Sequence, residues 1–300
     1  MNGCRITHDG FGFTPQEIAQ AVSDKRLLSM EIELSLRCNF RCPYCYVPDK
    51  SVLDNELRLE EILDAAAQAK ALGARRIILL GGEPMLYPYL FEVLDFLKSQ
   101  DLEVEMFSNG FGITSGIAEK LLDYRVNVVL KMNSFDEQVQ DELCGHKRAY
   151  TVIHDAFKSL RAAGYPSRTT FMAASTIICR QNIHELRDLW CWLRDQNILP
   201  YFEMITPQGD AALNDWLMVD PKEVEDLFND INRIDRERYG YEWDIQPPLV
   251  GNKCLRHQFS CLVSSQGDVM PCVGVPIAVG NIRARKLKDI ISDSEVIQNL

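Results

Sequence analysis

Short apolar runs alternate with amphipathic stretches through most of the chain. Met30–Leu36 reads as a strand. Leu59–Leu72 has apolar residues at helical spacing and ends at Gly73, a C-cap signal. Strands are then predicted at Arg75–Leu80, Leu102–Phe107, Val126–Met132, Thr169–Ile178 and Tyr201–Ile205. Helices are predicted between them at Tyr89–Ser99, Ile113–Tyr124, Thr151–Ala163 and Ile183–Gln196. A further helix is expected at Val219–Tyr239, with Asp220 as N-cap and Pro221 at the first helical position.

Strands that alternate with helices imply a parallel sheet, and right-handed crossovers curl it with the helices outside. The expected fold is therefore α/β, a partial (β/α)6 TIM-type barrel over residues 30–240, after an N-terminal extension at 1–29. From residue 241 the pattern changes. Phe259–Ser264 and Val269–Val273 flank a Ser265-Gln266-Gly267-Asp268 turn, which predicts a β-hairpin, and Leu287–Asn299 reads as a helix. This gives a small C-terminal hairpin/helix domain at 241–300. Its last helix meets no stop signal, so a missing tail is expected.

Composition narrows the class. Hydrophobic residues at 46% and charged ones at 25% describe a globular protein. No apolar run reaches the roughly 18–20 residues of a membrane helix. The N-terminus has no signal-peptide pattern, so the cytoplasm is the expected location, with no membrane partner. The net charge of −11 argues against nucleic acid as a partner.

Ten cysteines are many for a reducing compartment, where clustered thiols read first as metal ligands. Cys4, Cys144, Cys179 and Cys191 are scattered and read as small buried hydrophobes. Two groups remain. Cys38-Asn-Phe-Arg-Cys42-Pro-Tyr-Cys45 follows the first strand directly. Three thiolates on one short loop can ligate three irons of a cubane cluster, and with no fourth cysteine nearby one iron stays open. Tetrahedral zinc wants four ligands, so it fits less well and stays as the alternative.

A C-x3-C-x-aromatic-C loop after the first barrel strand resembles the signature of the radical S-adenosylmethionine (SAM) superfamily, over roughly residues 30–205. The resemblance implies a [4Fe–4S] cluster on Cys38, Cys42 and Cys45 whose open iron chelates SAM. The reduced cluster would cleave SAM to a 5′-deoxyadenosyl radical, which takes a hydrogen atom from substrate. It also implies SAM contacts. Gly81-Gly82-Glu83-Pro84 resembles the motif that accepts the methionyl ammonium. Ser108 and Asn109 give polar contacts, and Lys131 and Ser134 lie near carboxylate and ribose. Tyr44, Glu203 and Met204 lie near adenine. The loop Cys144-Gly-His146-Lys147-Arg148 and Arg180 read as solvated basic surface, with an anionic-substrate site as the alternative, and Trp190 and Trp192 as packing.

Cys254, Cys261 and Cys272 form the second group. Read as Cys254-x12-Gly267-x4-Cys272, it resembles the opening of the SPASM and twitch domains, which hold auxiliary iron–sulfur clusters. A full SPASM domain has more cysteines, and none follows Cys272 here, so the number of clusters and the fourth ligand stay open. A zinc-stabilised hairpin and plain reduced cysteines are the alternatives. The expected function is radical SAM chemistry on a peptide or protein (cross-linking, epimerisation or oxidation). The alternative substrate is a small molecule such as an aminocyclitol or sugar. A zinc-binding structural protein is the alternative of another class. The extension of about 30 residues before the first strand leaves no room for a leader-peptide-binding domain. An electron donor such as flavodoxin or ferredoxin is the expected protein partner.

Overall fold

The structure, a computed structural model, describes residues 13–47, 53–243 and 256–299. Its first element is a helix the sequence pattern did not predict, α1 (Pro15–Ser23). Thr14 caps it, and Glu17 reaches back to the Thr14 N–H in a capping box.

Six strands then run parallel: β1 (Ser29–Glu33), β2 (Arg76–Leu80), β3 (Glu103–Ser108), β4 (Val126–Lys131), β5 (Met172–Ile177) and β6 (Leu199–Glu203). The helices between them are α2 (Leu59–Ala71), α3 (Leu90–Ser99), α4 (Ser115–Asp123), α5 (Glu137–Cys144), α6 (Ala149–Ala163) and α7 (Leu186–Asp195). Of these, α5 falls where the sequence pattern predicted no helix. Asp136 caps it, Gly145 ends it in the left-handed region, and Leu143 and Cys144 bury its inner face.

After β6 come α8 (Pro221–Ile234), with Asp220 accepting from the Lys222 N–H as N-cap, then β7 (Ser260–Val263), β8 (Asp268–Met270) and β9 (Gly280–Asn281). Two short helices follow, α9 (Leu287–Asp293) and α10 (Glu295–Asn299), where one had been predicted; the chain breaks between them at Ser294.

The sheet order is β6-β5-β4-β3-β2-β1-β7-β8-β9. The hairpin therefore does not stand apart from the barrel strands. β7 pairs in parallel with β1, Ser29 opposite Ser260 and Ile32 opposite Val263, and satisfies the edge that β1 would otherwise leave open. The expected boundary at residue 240/241 falls next to 244–255, which lie outside the described residues.

Strand alternation separates two layers. Met30, Ile32, Ile77, Leu79, Val104, Met106, Val128, Leu130, Met172 and Ala174 join the core beneath the helices. Trp190 is there too, 2% exposed, with its indole N–H donating to Asp235. The other set faces the barrel interior, and much of it is charged.

Candidate active site

The loop after β1 is shaped by its neighbours. The Arg41 N–H donates to the Cys144 carbonyl at 3.1 Å, and the Cys45 N–H to Cys42 at 3.1 Å. Gly145 packs against this loop so closely that a Cβ would lie 1.9 Å from the Arg41 carbonyl oxygen. Cys38, Cys42 and Cys45 all line one cavity, about 220 Å³, inside the barrel mouth. The Phe40 N–H and the Asn109 side-chain amide both point donors at the Cys38 sulfur, at 3.4 and 3.8 Å. Cys144, buried nearby, accepts from Gln140, and its thiol is held well above the ordinary range by the Cys42 thiol and by burial.

The glycines of the second motif have a reason the sequence did not reveal. The Gly82 N–H donates to Ser35 at 2.7 Å and the Glu83 N–H to Arg37 at 2.8 Å, which locks the β2 exit onto the β1 exit. A Cβ on Gly82 would sit 2.1 Å from the Arg37 carbonyl oxygen. Gly81 has φ +131 and an equally close neighbour, the Ser35 carbonyl at 2.3 Å from a Cβ. The glycines thus hold the cysteine loop itself. Pro84, buried, opens the short turn that follows.

Glu83 is 2% exposed and lines the cavity. Its Oε1 accepts from the Met85 N–H and the Ser108 hydroxyl, and its Oε2 from the Asn109 N–H at 2.6 Å. Two carboxylate oxygens accept about four hydrogen bonds, so among the described residues one lone pair on Oε2 stays available. Burial pushes this carboxyl up to about 7, against the three hydrogen bonds, which pull it down.

Across the cavity Lys131 donates to Ser175 at 2.8 Å and lies over the Tyr44 ring, 5.5 Å from its centroid. Ser175 donates in turn to Glu203 at 3.3 Å, whose carboxyl burial raises. The Tyr44 hydroxyl accepts from Asn133. Met204 also lines this wall.

Two expectations need correction. Ser134 is fully buried and donates to Glu185 at 2.5 Å while accepting from the Asp136 N–H, so it organises the entry to α5 and does not line the cavity. Cys261 sits in β7 opposite Met30, 1% exposed, within the apolar core. Burial pushes its thiol up to about 12, the environment of a packing residue. Hairpin register explains this: Val263 pairs with Val269, and Cys261, Val263 and Val269 all share the core side of the sheet. Cys272 is half-buried just beyond β8, and its neighbour Val273 lines the cavity. Cys254 and Cys4 lie outside the described residues. Lys147, Arg148 and Arg180 are exposed, as expected.

Sequence reasoning missed Glu31, Tyr201 and Arg256, which line the cavity's interior end. The signal was present in Met30-Glu-Ile-Glu33 and Glu103-Val-Glu105: glutamates at every second position of strands that are otherwise buried.

The donor set suits the two groups that the sequence implied. Three thiols face one cavity, and Glu83 has an unfilled acceptor on the same wall. A family comparison agrees. The model of the radical SAM superfamily matches residues 32–189. The chain belongs to the radical SAM superfamily, the enzymes that use a [4Fe–4S] cluster and SAM for hydrogen abstraction. A second model, an iron–sulfur cluster-binding domain of the SPASM type, matches residues 254–300.

Among curated proteins the chain is similar to the AdoMet-dependent heme synthase of Methanosarcina barkeri, 24% identical and covering 89% of this chain and 83% of that one. Among solved structures it resembles Streptococcus suis SuiB bound to its precursor peptide SuiA, with TM-score 0.72 and 16% identity over 95% of this chain and 70% of that one. It also resembles native anSMEcpe with bound AdoMet, with TM-score 0.70 and 16% identity over 90% and 81%. At these identities the structural likenesses show the fold. No helix among the described residues is long and apolar enough to cross a membrane.

Proposed function

We propose that this chain cleaves SAM at a cluster held by Cys38, Cys42 and Cys45 and modifies a peptide or protein substrate by hydrogen abstraction. When bound, cluster and SAM together supply the radical chemistry. The chain's own part is to bind, orient and exclude water. Glu83 takes the SAM ammonium on its open Oε2 position. Asn109 donates toward the Cys38 sulfur, Lys131 faces the SAM carboxylate, and Tyr44 with Glu203 and Met204 borders adenine. Cys254 and Cys272 would serve an auxiliary cluster. An external one-electron donor, flavodoxin or ferredoxin in kind, completes the system.

What carries this reading is that three thiols, a buried carboxylate and a charged barrel interior share one cavity. The peptide substrate rests on SuiB, whose structure was solved with a precursor peptide. A second reading, a small-molecule substrate, is favoured by the heme synthase relative, which matches over 89% of the chain.

The test is anaerobic. Reconstituted protein given SAM and dithionite should yield 5′-deoxyadenosine, and Cys42→Ala should yield none while keeping its circular dichroism. Deuterium carried from a labelled peptide into 5′-deoxyadenosine would support the peptide substrate. SAM cleavage undiminished in Cys42→Ala would refute the ligand assignment.

A further inference from the structure

Under the proposed SAM position, the cavity's interior end is left to substrate, and its lining there is polar. Glu31 on β1 is 4% exposed. Strand register puts it level with Ile78 of β2 and Glu105 of β3, deeper in the barrel than the Glu83 turn. Arg256, which precedes β7, reaches in and pairs its guanidinium with Glu31 Oε1 at 2.5 Å. Tyr201 and Ser175 complete this end.

Most of these groups already have partners. Lys131 donates to Ser175, and Ser175 to Glu203. Among the described residues, Oε2 of Glu31 is buried with no hydrogen-bond partner. A buried carboxylate oxygen left so is costly, and the structure places this one at the wall of a cavity large enough for a ligand group. What fills the position must therefore donate.

Charge selects among donors. Glu31, Glu105 and Glu203 face the interior with Lys131 and Arg256. Arg256 is paired with Glu31 through Oε1, and Arg76 lies 3.8 Å from Glu105 and 3.0 Å from Glu103. The unfilled acceptor is a carboxylate oxygen, and a hydrogen bond to it from a cation is roughly twice as strong as one from a neutral hydroxyl or amide.

We propose that Glu31 is a substrate anchor: its Oε2 receives an ammonium or guanidinium, so the substrate carries a lysine- or arginine-like cationic group into the barrel. This rests on the proposed SAM position and names the substrate class for the same cavity.

The test uses the anaerobically reconstituted, SAM-loaded full chain. Three probes are compared by ligand-observed NMR: the Nα-acetyl N-methylamides of lysine, arginine and norleucine. The two cationic probes should bind at least tenfold tighter than norleucine. Glu31→Gln should erase that preference, whereas Arg256→Lys, which keeps a cation beside Oε1, should retain it. Bound iron and circular dichroism report whether each variant is folded. If Glu31→Gln does not fold, the wild-type comparison still decides. Equal binding of norleucine and lysine by the wild type, or a preference that survives Glu31→Gln, overturns the proposal and assigns Oε2 to an ordered water. A wild type that cleaves SAM but shows no preference refutes the anchor alone. One that does not cleave SAM refutes the broader reading.

Discussion

Glu83→Gln changes one atom and separates charge from shape. In the folded chain Oε1 of Glu83 accepts two hydrogen bonds and Oε2 one, from Asn109. A glutamine side chain has one accepting oxygen and one NH2. Whichever way the amide turns, its NH2 meets an N–H or hydroxyl that now donates to a carboxylate. The variant also loses the negative charge opposite the SAM ammonium. A hydrogen bond to a charged group is worth about 1.5–3 kcal/mol, so SAM should bind about 10- to 150-fold more weakly.

The pH profile gives a second, independent readout. Burial holds Glu83 near 7, and only the ionised form attracts an ammonium. Below that value the Kd of the wild type for SAM should rise about tenfold per pH unit. Above it the curve should flatten, and Glu83→Gln should be flat throughout. Ser108→Ala removes a donor that lowers the carboxyl, so its break should move to higher pH. Equilibrium dialysis of labelled SAM between pH 6 and 7.5, under argon, measures all three proteins. A Glu83→Gln protein that binds SAM as tightly as the wild type, with the same slope, would refute the ammonium assignment.

Cys261→Ala should leave iron per chain unchanged and cost about 1 kcal/mol of stability from lost packing; a drop in iron would return Cys261 to the ligands. Gly82→Ala, with its Cβ forced to 2.1 Å from a carbonyl oxygen, should destabilise by on the order of 3 kcal/mol and lower cluster loading, read from the thermal midpoint and iron content. Burial pushes Glu33, Glu83 and Glu105 each to about 7, against about 4.3 for an unfolded glutamate. The folded chain then binds more protons than the unfolded one between those values. Stability should fall as pH rises through that window, by at most about 4 kcal/mol per group, and level off above it. The urea midpoint of chelator-stripped protein should be lower at pH 8 than at pH 6, and less so in Glu105→Gln; a midpoint that rises would contradict the burial argument.

What the sequence made legible, and what it hid, follows from how far each signal reaches along the chain. The six parallel strands and the cysteine loop are local patterns. An apolar run between amphipathic stretches, or three thiols within eight residues, is visible without knowing what packs against it. Helix α5 was hidden because its mean hydropathy is low and only Gln140, Leu143 and Cys144 are buried. Ser134 and Cys261 went wrong for a related reason. A serine just past a strand, or a cysteine in a hairpin, reads alike whether it faces a cavity or the core. The face is set by register with residues far away: Glu185 takes the Ser134 hydroxyl, and Met30 lies opposite Cys261.

The charged interior was hidden differently. Glu31 and Glu105 lie on two strands roughly 70 residues apart, and each alone looks like the solvent face of an amphipathic strand. Only the curl of the sheet, with β7 on the far side of β1 and Arg256 carried in beside it, turns them inward and puts Glu31 on the wall of the cavity. The same curl brings the C-terminal segment to the cavity, where Val273 lines it. Ser265 donates to Glu33 and Gln208 to the Val273 carbonyl, so any movement of the segment that carries Cys272 is felt at the barrel mouth.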